Sequence, residues 1–187
     1  KHYGRIDILI NNGGISQRSR VSETPLELDR KIMEVNYFGN IALSKAVLPL
    51  FQKQKSGKFV VISSLSGKFG FFLRSAYAAS KHALVGFYES LRLEEEKNGV
   101  KVSLVFPGLI QTNISQNALS KDGEAHGELD DNQAKGISAE KCAQQIIKGI
   151  EKDQLEIFAG AGELKAVTIK RLFPKLFHKI IRKQSAT

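Results

Sequence analysis

Tyr77 and Lys81 stand four residues apart in the helix-compatible run Tyr77-Ala78-Ala79-Ser80-Lys81. Positions i and i+4 are neighbours on a helix surface, so the ammonium can approach the site the phenol occupies. A free phenol has a pKa of about 10, too high for a group that must give and take protons near neutrality. An ammonium at about 4 Å in a partly shielded site contributes roughly 4 kcal/mol to the phenolate. At about 1.4 kcal/mol per pKa unit, that brings the tyrosine towards ~7. Such a tyrosine can serve as a general acid or base. The competing reading is two ordinary residues on a helix face, and the elements around them decide between the two.

Arg5–Ile10 is a short apolar run ending at Asn11-Asn12-Gly13-Gly14, the pattern of a buried parallel strand that stops at a tight turn. Thr24-Pro25-Leu26-Glu27 predicts a helix start, with Thr24 as N-cap, Pro25 at N1 and a capping box closed by Glu27. The helical period then runs to about Gln54, with a bend or break expected at Pro49. Asn36 is a poor helix former inside this run, and Gly39 weakens it further. Val35 and Phe38 beside Asn36 suggest an inward-leaning face, where a buried amide needs partners. Lys58–Ser63 is a second, β-branched strand followed by Ser64, Ser66, Gly67 and Gly70. A helix over Ala76–Lys97 ends at Asn98-Gly99, and a third strand, Val100–Phe106, stops at Pro107-Gly108. Residues 113–136 show no period and read as a mobile loop or lid. Ser138 caps a helix to about Lys152, and Leu155–Phe158 is the last short strand. Alternating apolar strands and helices predict an α/β fold with a parallel sheet covered on both faces. Ligands of such sheets gather at the carboxyl ends of the strands, where Asn11–Gly14, Ser64 and Pro107-Gly108 fall.

The 187 residues, 42% hydrophobic, suit one domain with a substantial core. Cys142 is the single cysteine, which rules out an intramolecular disulfide framework, and it reads as a small packed residue. The four histidines show no metal-ligand spacing, so no metal site is expected. Net charge is +9, and residues 163–187 hold seven basic residues against Glu163 alone. The excess therefore belongs to the tail. No apolar run approaches the ~18–20 residues of a membrane span. The N-terminal residues do not read as a secretory signal.

Several motifs in order now resemble the short-chain dehydrogenase/reductase family. Asn11-Asn12-Gly13-Gly14 is similar to its N-N-A-G turn, with glycine for alanine, and Asn36 falls at its helix asparagine. Ser64 precedes Tyr77 by thirteen positions, the family separation of catalytic serine and tyrosine. Tyr77 and Lys81 form Y-x-x-x-K, and Pro107-Gly108 with Thr112 matches P-G-x-x-x-T. The wording of Asn11–Ser19 resembles the member-seven-like branch, associated with steroid, retinoid and other carbonyl compounds.

The resemblance implies the C-terminal part of a Rossmann-like doubly wound sheet with helices on both faces. It implies hydride transfer between NADP(H) or NAD(H), NADP(H) ahead, and a lipophilic carbonyl or secondary alcohol. Tyr77 is then the proton donor, and Lys81 tunes it and holds the nicotinamide ribose. Ser64 binds the substrate oxygen, and Asn36 holds a water that links Lys81 to solvent. Asn11, Gly13, Pro107, Gly108, Ile110 and Thr112 line the nicotinamide half of the cofactor site together with Tyr77 and Lys81.

The glycine-rich pyrophosphate turn and the first three strands of the family pattern are absent from these residues, so the chain reads as N-terminally truncated relative to that pattern. The 187-residue piece alone is expected to be inactive, and NAD against NADP is left open. Residues 1–162 read as a partial dinucleotide-binding and catalytic domain, 109–137 as a substrate loop and 163–187 as a basic helical tail. A homodimer or homotetramer is expected, in the cytoplasm or on a membrane if an N-terminal anchor exists. Two other classes remain. One is a binding or scaffold protein with the site unused; the other is a peripheral membrane protein working through 172–187, with nucleic acid set aside for lack of a readout module.

Overall fold

The computed structural model describes residues 3–184; Lys1, His2 and the last three residues of the tail lie outside the described residues. Four parallel strands form one sheet in sequence order: β1 (Ile8–Asn11), β2 (Gly57–Ile62), β3 (Val100–Pro107) and β4 (Glu156–Ala159). Helices α1 (Leu26–Met33) and α2 (Gly39–Gln54) join β1 to β2, and α3 (Ser75–Glu95) joins β2 to β3. The short α4 (Asp131–Ala134) and α5 (Ala139–Glu151) lead into β4, and α6 (Lys165–Leu172) and α7 (Pro174–Ile181) follow it. This is the Rossmann-like α/β arrangement expected from the alternation.

Side-chain alternation along the strands divides the interior. Phe59, Val61, Val102, Leu104 and Phe106 face one way and pack with Phe51, Leu84, Tyr88 and Leu91 of α2 and α3. Val60, Val105 and Ile157 face the other way, beneath Ile146 and Ile150 of α5. Leu9 of β1 belongs to the first set. Ile8 and Ile10, of opposite parity, are about half exposed because α5 reaches only β3 and β4.

Two local expectations change. The capping box does not form: Pro25 occupies the N-cap with no side-chain bond, and the Thr24 hydroxyl donates to Arg20 O. Pro49 sits inside an unbroken α2. The irregularity lies earlier, in a π turn over Glu34–Phe38. Residues that weaken the regular ladder, Asn36 and Gly39, lie at this turn and let the chain take in one extra residue. Ser138 does cap its helix, accepting from Lys141 N.

The link from α3 to β3 turns at Gly99, with φ +71. A Cβ there would lie 2.2 Å from Lys55 O, a backbone atom with no room to yield. Gly99→Ala should therefore cost about 1–3 kcal/mol, seen as a lower urea midpoint at unchanged m-value.

Candidate active site

Asn36 is fully buried in the π turn, and its amide is used completely. Its Oδ1 accepts from Ile15 N at 2.8 Å, and its Nδ2 donates to Ile15 O and Ser80 Oγ, both at 2.9 Å. One side chain thus fixes the loop after β1 against the helix that carries Tyr77. The side-chain amide does not bond Lys81, and the Asn36 carbonyl accepts from Asn40 Nδ2 at 2.8 Å. Gly14 is where these groups converge: a Cβ there would meet Asn36 Oδ1 at 3.2 Å and Lys81 Nζ at 3.4 Å. Gly13, the departure from N-N-A-G, would find nothing within 4 Å, so space does not demand glycine there.

Tyr77 and Lys81 lie on the buried side of α3 and face a cavity of about 760 Å³. Ser64 joins them from the end of β2, held by its own turn because its Oγ accepts from Ser66 N. Lys81 Nζ donates to Ile62 O at 2.9 Å and stands 5.7 Å from the Tyr77 ring centre. Burial pushes the Lys81 ammonium down to about 8. Burial also raises the Tyr77 phenol above its ordinary value, while Ser64, Arg74 and Arg18 pull it back. The cationic field opposing burial therefore comes from two arginines, where the spacing alone had pointed to Lys81.

The expected cofactor residues divide. Asn11 turns away from the cavity, sharing the parity of Leu9, and its Nδ2 donates to Ser44 Oγ and Tyr88 OH, both at 2.8 Å. Asn12 and Gly14 line the cavity in place of Asn11 and Gly13. Pro107, Gly108, Ile110 and Thr112 all line it. The Pro-Gly turn is braced by Glu163, which accepts from Leu109 N at 3.0 Å and lies so near Gly108 that any Cβ would clash. Sequence reading counted Glu163 only as the lone acid of the tail.

Apolar walls come from Phe69, Phe71, Ile146 and Phe177, with Phe69 and Phe177 in edge contact at 5.0 Å. Phe72 is turned outward, and Leu73 bends the chain with φ +59. Cys142 also lines the cavity, buried, its thiol pushed up by that burial. Segment 113–136 is tied down at several points: Arg18 N donates to Leu119 O, Leu119 N to Ser16 O, and Asp130 pairs with Arg18 and Arg74. Those charges and the Gln17–Thr24–Ser19 cluster were not singled out from sequence.

The residues fit the nicotinamide end of a dinucleotide on two observations. Gly14 leaves an open approach between Asn36 and Lys81, and Lys81 is a buried ammonium on the cavity with no salt bridge among the described residues. Such a charge suits a polar ligand able to share its donors.

Comparison with known proteins identifies the family. A family model described as short chain dehydrogenase matches residues 1–123, and the chain belongs to that family. It is 44% identical over 180 residues to dehydrogenase/reductase SDR family member 7B of Mus musculus, covering 96% of this chain and 56% of the relative. The chain thus spans little more than half the length of the curated relatives it matches. A short-chain dehydrogenase structure from Streptomyces avermitilis superposes with TM-score 0.73 at 29% identity, covering 97% of this chain and 72% of that one. A putative NAD(P)-dependent gluconate 5-dehydrogenase from Beutenbergia cavernae, solved with bound NADP, gives 0.58 at 35% identity over 59% and 45% of the two chains.

Asn36→Ala would leave the Ile15 peptide groups and Ser80 without their partner. The expected loss is about 2–4 kcal/mol of stability in denaturant titration, an amount set by unpaired buried groups.

Proposed function

We propose that the chain is the catalytic part of an oxidoreductase that moves a hydride between NAD(P)(H) and a lipophilic carbonyl or secondary alcohol. The observation that carries this is the convergence of Tyr77, Ser64 and Lys81 on one largely apolar cavity. NADP(H) is placed ahead of NAD(H), in line with the NADP found in the Beutenbergia relative. An unused site on a binding protein is disfavoured, since a buried ammonium and phenol are costly features to keep without chemistry.

The dinucleotide, when bound, supplies the hydride chemistry. Lys81, Gly14 and the Pro107–Thr112 segment would hold its nicotinamide end. In reduction the Tyr77 hydroxyl gives its proton to the forming alkoxide, and Ser64 donates a hydrogen bond to the same oxygen. In oxidation the Tyr77 phenolate takes that proton back. Asn36 keeps the loop after β1 seated against α3, so the two halves of the site hold register.

Tyr77→Phe in the full-length protein should lower turnover by roughly 10²–10⁴-fold, the usual weight of a general acid, with dinucleotide affinity near normal. The acid or base role of Tyr77 gives the pH sign, and its raised proton affinity moves the transition upward. Reduction needs the protonated phenol and should fall as pH rises through its pKa, whereas oxidation should rise. Steady-state rates in both directions with a ketone and its alcohol check this; retention of more than about a tenth of the rate would remove Tyr77 from the role.

A second reading concerns the tail. Phe177 of α7 is buried against Phe69, but Leu172, Phe173, Leu176 and Ile180 are 60, 59, 49 and 40% exposed. Lys175, Lys179 and Lys183 border them. An apolar strip flanked by cations suits shallow contact with an anionic bilayer surface. Among the described residues no helix is long and apolar enough to cross a membrane. Co-sedimentation with anionic vesicles should weaken on Leu172→Glu with Leu176→Glu; no binding by the parent chain would end this reading.

A further inference from the structure

A buried charge cluster in the cavity lies outside the Y-x-x-x-K motif. Arg18, from the loop after β1, donates through Nε to Asp130 Oδ1 at 3.1 Å and through Nη2 to Asp130 Oδ2. Its Nη1 donates to Ser16 Oγ at 3.0 Å and to Gln17 O at 2.6 Å. Arg74, one residue before α3 and three before Tyr77, donates through Nη2 to the same Oδ2 at 2.7 Å and through Nη1 to Phe72 O at 2.9 Å. Side-chain exposure is 3% for Arg18, 3% for Asp130 and 13% for Arg74, so water screens none of them well. All three line the cavity that Tyr77 faces. Two guanidiniums share one carboxylate, and the cluster keeps a net positive charge.

We propose that Arg18, Arg74 and Asp130 form a charge triad that acts on Tyr77 from the substrate side, the two guanidiniums favouring its phenolate and the Asp130 carboxylate limiting that effect. These are positioning residues, with the field as their means. The inference rests on Tyr77 being the proton-transfer group. Arg74, at the entry of its own helix, and Arg18, from the loop after β1, act on Tyr77 directly, Lys81 stands 5.7 Å from its ring centre, and Asp130, from the segment before α4, acts through its pairs with both arginines. Ser64, at the end of β2, is neutral. Lys81 is turned to Ile62 O, whereas both guanidiniums act to lower the phenol. Arg74 is itself pushed down to about 10 by burial and by Arg18, and so stays charged through the neutral range.

Asp130 also ties down one wall of the site. It lines the cavity, with its backbone N donating to Ser115 Oγ, and its carboxylate fixes its segment to the entry of the helix of Tyr77. Loss of the carboxylate leaves two buried cations facing each other, which raises the field and loosens the segment together.

The triad gives opposite signs for two substitutions. Removing a cation raises the phenol pKa, and removing the anion lowers it. In the full-length protein, Arg74→Gln should move the pH profile of alcohol oxidation to higher pH and Asp130→Asn to lower pH, each by about one unit, within the range for a charge at close quarters. Asp130→Asn should in addition raise KM for the carbonyl more than it changes dinucleotide affinity. Phenolate absorbance, titrated against Tyr77→Phe as the blank, reads the same two shifts without turnover, so it separates failure of this inference from failure of the hydride-transfer reading. Circular dichroism of each variant identifies a misfolded one, and Arg74→Lys, which keeps the charge, should restore most of the Arg74→Gln shift. Shifts of the same sign in both variants, or no shift in either, would overturn the triad's role.

Discussion

One buried amide holds the site together. Asn36 closes a pair of hydrogen bonds on the Ile15 peptide and a third on Ser80, joining the loop after β1 to the helix of Tyr77 and Lys81. A regular helix at this point would place its side chains on a different face, and the π turn re-aims the asparagine while the helix continues. A buried amide with no partner would cost a few kcal/mol, so movement between the two elements that breaks these bonds is opposed. The loop after β1, the π turn and the helix of Tyr77 and Lys81 are thus joined through one side chain.

Around that unit, two kinds of polar burial divide the labour. The Asn11–Ser44–Tyr88 network lies under α2 and α3, and it pins β1 to the helices. The Arg18–Asp130–Arg74 group lies on the cavity side and binds the segment before α4 to the loop after β1 and to the entry of α3. The first network is neutral and keeps a fixed core. The second carries charge, and its field extends into the volume where a substrate would sit.

Much of this was legible in the sequence because it depends on short-range order. Strand alternation, the Ser138 cap and the Y-x-x-x-K spacing need only neighbouring residues, and each appears where expected. Ser64 was found through its separation from Tyr77. The orientation of Asn11 was recoverable in principle, since it shares the parity of the apolar Leu9, but its place at a turn drew attention to the ligand instead. Thr24 shows the limit of local chemistry: a sound capping signal was outcompeted by the Arg20 carbonyl and the Gln17–Ser19 cluster. Asp130 and Arg18, 112 positions apart, have no local signature, and only the tertiary fold brings them together.

Phe177 belongs to the final helix, to the main core and to the cavity wall together. A molecule that binds the cavity more tightly when that ring is in place favours the seating of α7 by that difference in affinity. Ligand that binds only the folded form stabilises it by mass action. Occupancy of the site and attachment of the C-terminal end are thus thermodynamically linked, and the outward face of α7 would carry the state of the pocket to the surface.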